Sequence, residues 1–178
     1  MLTIGHSTRS LEELVALLRA HGVERVADVR RFPRSRRHPH FAADALARDL
    51  PKTGIAYRHL PGLGGFRRPR PDSPNTAWRN ASFRGYADYM ATDEFASHLG
   101  ALLDDARTTP TAIMCAEAVP WRCHRSLIAD ALLARGVQVR HILGLARAEP
   151  HVLTASARVE GGRVRYPREP DLFGAAGD

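Results

Sequence analysis

Short apolar runs alternate with amphipathic stretches along most of this chain. That alternation, more than any other feature, restricts the fold to an α/β layering on a mostly parallel sheet. Residues 2–4, 23–29, 55–60, 111–115 and 137–143 read as five strands. Residues 111–115 are apolar and unbroken by charge, as a strand covered on both faces should be. Between the strands the spacing turns helical. Ser10 and Glu13 form a capping box ahead of Leu11, Leu14, Val15 and Leu18, and Gly22 closes that helix. A short helix over 41–50 stops at Pro51, and Tyr86 to Met90 lead into Phe95, Leu99, Leu102 and Leu103 with Thr92 as an internal cap. Leu127, Ile128, Ala131 and Leu132 give the last helix its inner stripe before Gly136.

At 178 residues the chain holds one hydrophobic core. The pattern therefore predicts a single three-layer, Rossmann-like α/β domain over residues 1–154 with a central sheet of about five strands. Residues 155–178 are expected to form an extension. Residues 152–154 and 163–166 are expected to pair as a hairpin about Gly161 and Gly162, and the end from 170 to fray.

No apolar stretch is long enough to span a bilayer, and the start Met-Leu-Thr-Ile-Gly-His lacks the basic and apolar regions of a signal peptide. A cytoplasmic protein with no membrane partner is the expectation. Charge is unevenly placed. Residues 29–87 carry twelve Arg and one Lys against three acids, a balance of +10, so the rest of the chain is at −3 for a net +7. An Arg-rich segment of this kind suits a phosphate-bearing small molecule or a nucleic acid. Its most basic run is Arg30, Arg31, Arg34, Arg36 and Arg37 with His38 and His40. Tyr57, Phe66, Trp78, Phe83, Tyr86 and Tyr89 interleave with Arg58, Arg67, Arg68, Arg79 and Arg84, a mixture that stacks bases while neutralising phosphate; for Tyr86 and Tyr89, core packing is the better reading.

Parallel strands open all their strand-to-helix loops on one edge of the sheet, where ligands bind in open α/β folds. That edge collects Gly5, His6 and Ser7, Asp28 to Arg31, His59 to Gly65, and Cys115 to Arg125. Gly5, His6 and Ser7 offer backbone amides, an imidazole and a hydroxyl to a ligand. Arg30, Arg122 and Arg125 suit anionic oxygens. Glu117 and His124 suit proton transfer. Cys123, placed at a helix start beside His124 and Arg125, is expected to be more acidic than Cys115 on its buried strand. The prediction is one concave site holding Gly5 to Ser7, Arg30, Glu117, Cys123, His124 and Arg125. No metal and no cofactor is expected. The Cys, Glu, Cys and His spacing fits no common zinc pattern, and Cys-Ala-Glu lacks the downstream Pro-Cys-x-x-Cys of the zinc nucleobase deaminases.

Thr3-Ile-Gly-His-Ser7, Asp28-Val-Arg30 with Pro33 and Phe41, Leu60-Pro-Gly-Leu-Gly-Gly65, Tyr86 to Met90 and Cys115-x-Glu-x-x-Pro-x-x-Cys-His-Arg125 together resemble the bacterial family catalogued as domain of unknown function 488. The last motif is the specific one, and the resemblance spans about residues 1–154. It implies a compact α/β domain with a shared site and assigns no reaction. Three functions stand at this point. The first is an enzyme acting on a phosphate-bearing substrate, a nucleotide or nucleic acid, with Glu117 or His124 moving protons. The second is a thiol enzyme for sulfur transfer or redox chemistry with Cys123 as nucleophile and Cys115 as resolving partner. The third is a non-catalytic nucleotide-binding or nucleic-acid-binding module.

Overall fold

A computed structural model describes residues 1–34 and 37–168. Arg36 of the basic run and the end from 170 lie outside the described residues. In chain order the elements are β1 (Leu2–Gly5), α1 (Leu11–Ala20), β2 (Arg25–Asp28), α2 (Ala43–Asp49), β3 (Ala56–His59), α3 (Ala81–Met90), α4 (Asp93–Thr108), β4 (Thr111–Cys115), α5 (Arg125–Leu133), β5 (Arg140–Gly144), β6 (Arg147–Pro150), β7 (Arg158–Glu160) and β8 (Arg163–Arg165). The local signals act as their chemistry requires. Ser10 and Glu13 cap α1 reciprocally, and the Thr92 side chain accepts from the Phe95 amide, so that α3 and α4 are two helices.

The main sheet runs in the order β3-β2-β4-β1-β5-β6. Its first five strands are parallel, and β6 pairs antiparallel with β5. This is a single α/β domain with helices on both faces. With β4 inserted between β1 and β2, the order departs from the 3-2-1-4-5-6 of the dinucleotide-binding fold, so the likeness to that fold ends at the layering. The sheet has six strands rather than about five. β6 was missed because Arg147–Pro150 is a polar edge strand that buries no apolar row.

Strand pleat distributes the core. Ile4, Val26, Ala112, Met114 and Ile142 face α1 and α2, whereas Ala27, Val29, Ile113 and Cys115 face α3, α4 and α5. Cys115 is thereby committed to the layer that carries Cys123.

The hairpin is β7 with β8, turning at Gly161 and Gly162. Residues 152–154 are not one of its strands, because the Thr154 amide and hydroxyl both donate to the buried Asp130 carboxylate. Beyond the hairpin Tyr166 is fully buried; its hydroxyl donates to Asp130 Oδ2 at 2.7 Å and its carbonyl accepts from the Ala77 amide. No helix among the described residues is long and apolar enough to cross a membrane.

Candidate functional site

The helices that follow β1 and β2 pack on one face of the sheet, and the helix that follows β4 packs on the other. Between β1 and β2, therefore, the loop from β4 leaves its neighbours and opens a crevice at its carboxyl end. The backbone there is tightly tied. The His6 and Ser7 amides donate to the Cys115 and Ala116 carbonyls at 3.0 and 2.9 Å, and the Gly5 carbonyl accepts from Arg9 Nη1. Those amides are thus occupied within the protein, contrary to the expectation that they face a ligand. Gly5 is there for close approach: a Cβ on it would lie 1.8 Å from the Glu117 carbonyl oxygen.

Arg30 is held from behind. Its Nε and Nη2 donate to the two oxygens of the fully buried Asp28 at 2.8 and 2.6 Å, and its Nη1 donates to His6 Nε2 at 3.1 Å. His6 completes the chain by donating from Nδ1 to the Ser7 carbonyl, with its ring stacked on Phe41 at 4.1 Å. Burial, followed by the Arg30 charge, lowers the His6 pKa to about 4, so this imidazole is neutral at pH 7. Arg30 is therefore a charge-compensated wall of the crevice, and free cationic character passes to Arg31, Arg34 and Arg122 at its rim.

On the other side lie the thiols. The turn Pro120–Arg122 brings Cys123 back over β4, and its Sγ sits 2.8 Å from that of Cys115. His124, the cap residue of α5, donates from Nε2 to the Val29 carbonyl at 3.2 Å, which leaves Nδ1 as an acceptor 3.5 Å from Cys123 Sγ. Burial lowers the His124 pKa to about 4, and the ring is a neutral base at pH 7. Cys123 precedes the helix cap and does not occupy its first turn. Donation of its proton to Cys115, together with burial, pushes its thiol up. Burial also opposes a charge on Cys115, yet the Cys123 hydrogen bond and the nearby Arg125 outweigh it and hold that thiol below the ordinary value. With the proton placed on Cys123, charge is favoured at Cys115, where the sequence expected it at Cys123.

A cavity of about 370 Å³ joins these parts. Of the residues predicted for the site it is lined by Arg30, Glu117, Arg122, Cys123 and His124. An adjoining hollow takes His6, Ser7, Arg30 and Glu117. Gly5 and Arg125 line neither, and Arg125 is 1% exposed with Nη2 donating to the Ala118 carbonyl. Gly65 fits against His124, where its Cβ would meet Nδ1 at 3.1 Å. Phe32 and Phe66, 68% and 80% exposed with ring centroids 6.3 Å apart, flank the mouth. Phe66 (φ 60°) and Ser7 (φ 51°) are the two non-glycine residues in the left-handed region among the described residues, and both line this crevice. Outside Phe32 a broader hollow is bordered by Arg31, Arg34 and His59.

Sequence reasoning missed Phe32 as a partner of Phe66, although it follows Arg30 in the same strand-end loop. Tyr86 and Tyr89 are buried, with hydroxyls donating to Leu63 and Gly62, as core residues should be. Among the described residues no group of three or more His, Cys, Asp or Glu could hold a metal ion. A second polar cluster went unread from sequence. Thr3 Oγ1 meets His141 Nδ1 at 2.7 Å, His141 Nε2 meets His151 Nδ1 at 3.0 Å, and His151 Nε2 donates to Asp130 at 2.8 Å. Compared with known proteins, residues 10–132 match the model of the family described as domain of unknown function DUF488. No curated protein and no solved structure matches the chain.

Proposed function

The chain belongs to the family of the domain of unknown function DUF488, and from its β4-edge cavity we propose an enzyme acting on a phosphate-bearing substrate with a planar group, a nucleotide free or within a nucleic acid. The observation that carries this reading is the mouth of the cavity. Two exposed phenylalanines flank a floor that holds a neutral imidazole, with arginines at the rim. A planar base stacks on Phe32 and Phe66, and Arg31 and Arg122 take its phosphate. His124 Nδ1 accepts a proton at the floor, and Glu117, exposed at the rim, passes it to solvent. A longer strand would continue along the Arg-rich segment 29–87 toward Arg34 and Arg37.

Native mass spectrometry of the gently purified protein tests this. A retained nucleotide that is lost in Phe66→Ala supports it, and a protein that retains and rebinds no nucleotide contradicts it. Bound nucleic acid without turnover would reduce the reading to a binding module, with affinity falling steeply as salt rises.

One observation favours a second reading. Two thiols 2.8 Å apart on a cavity floor suit thiol exchange.

A further inference from the structure

The sulfurs of Cys115 and Cys123 lie 2.8 Å apart on the cavity floor, close enough to exchange a proton or to form a bond. Beside Gly5, the residue paired with Cys115 across the β1–β4 ladder, lies the Arg125 guanidinium. It is 1% exposed, its Nε and Nη1 meet no hydrogen-bond partner, and among the described residues it pairs with no carboxylate. A guanidinium buried in this way requires an anion nearby.

We propose that Cys115 is the attacking sulfur of a disulfide-exchange site, with Arg125 the counter-ion of its thiolate and Cys123 both proton donor and resolving thiol. This rests on the thiol reading above and adds the order of the two sulfurs, the positioning residue and the substrate class. The Cys115 thiolate attacks one sulfur of a substrate disulfide. A bond from Cys115 to that sulfur forms, the substrate's own S–S bond breaks, and the leaving sulfur departs with the electron pair. It takes up the Cys123 proton, relayed by His124 Nδ1. The Cys123 thiolate then attacks Cys115 Sγ, closing the Cys115–Cys123 bond and expelling the second substrate thiolate, which is protonated by water. The substrate disulfide is reduced by two electrons and the cysteine pair is oxidised; a low-molecular-weight thiol reverses the oxidation. Closing the bond needs less than about 1 Å of approach to reach roughly 2.05 Å.

The groups facing the pair are Arg125 and His124 from the start of α5, Glu117 from the β4 loop, Tyr86 from α3 and Arg30 across the cavity. Of these, His124 Nδ1 lies 3.5 Å from Cys123 Sγ. At Cys115 burial raises the pKa, but the Cys123 hydrogen bond and the Arg125 charge together outweigh it and lower the thiol below its ordinary value.

Iodoacetamide labelling of the full chain across pH, resolved by peptide mass spectrometry, tests the order. Cys115 should label first although it is the less exposed, 1% against 6% for Cys123, with a midpoint below the ordinary thiol value of about 8.5. Arg125→Met should raise that midpoint by about one unit, a loss of about tenfold in rate at neutral pH. Should Arg125→Met fail to fold, the mixed disulfide formed with hydroxyethyl disulfide decides. It should accumulate on Cys115 in Cys123→Ser and not on Cys123 in Cys115→Ser. Labelling or mixed-disulfide formation at Cys123 first, or a midpoint unmoved by Arg125→Met, overturns the order while leaving a thiol enzyme. A pair that reacts with neither reagent before denaturation overturns the thiol reading together with the proposal.

Discussion

Two buried polar networks are anchored on α5, one through Arg125 and one through Asp130, and they are finished to different degrees. Around Asp130 every group is spoken for: its carboxylate accepts from His151, from the Thr154 amide and hydroxyl, and from Tyr166, while His141 is bonded at both ring nitrogens. Around Cys115 the accounting does not close. Arg125 has two donor groups without partners, His124 keeps an unprotonated nitrogen, and a cavity opens on the thiols. A fully satisfied network fastens one part of a fold to another, here residues 151–166 to α5 and β5. The incomplete network lies at the carboxyl end of a parallel sheet, the edge where ligands bind in open α/β folds, and that is where we place the proposed site.

Acid should break both regions and produces the largest effect. His6, His124 and His141 are each held neutral by burial with pKa values lowered to about 4. Between about pH 6.5 and 4 the unfolded chain binds more protons than the folded one, so stability must fall as pH falls through that window, by several kcal/mol in total. A calorimetric Tm that stayed level from pH 7 to 4 would exclude the assigned neutral imidazoles. Next in size is Asp130→Ala, which strands four donors and should cost about 3–5 kcal/mol, or roughly 10 °C in Tm, with nucleotide retention intact in the protein that remains folded. A loss of retention without loss of Tm would place Asp130 in the site. Phe66→Ala should do the reverse, moving Tm by less than about 2 °C because the ring is exposed, while weakening nucleotide binding about tenfold.

Much of the fold was readable because its signals are local. Ser10 with Glu13 announces α1, Thr92 separates α3 from α4, and the uncharged run 111–115 is β4 to the residue. What escaped depends on distant partners. Arg147–Pro150 is polar because it is an edge, and residues 152–154 carry strand-forming side chains but answer to Asp130. In the site, parallel topology placed Arg30, Glu117, Cys123 and His124 on one edge, since that follows from strand direction alone. The pairing of the two thiols beside a buried arginine was out of reach. It depends on Arg125 turning inward beside Gly5, and on pleat directing Cys115 toward α5, neither of which spacing along the chain encodes.

The central claim is that the β4-edge cavity is the ligand site, and calorimetric titration of the four nucleoside monophosphates against wild type, Phe66→Ala and Arg122→Ala tests it most directly. At least one monophosphate should bind saturably and more tightly than either its nucleoside or inorganic phosphate. Phe66→Ala should weaken it about tenfold, and Arg122→Ala should weaken it while making the affinity less dependent on salt. Saturable binding that ignores both substitutions, or none by any of the four, would contradict the account.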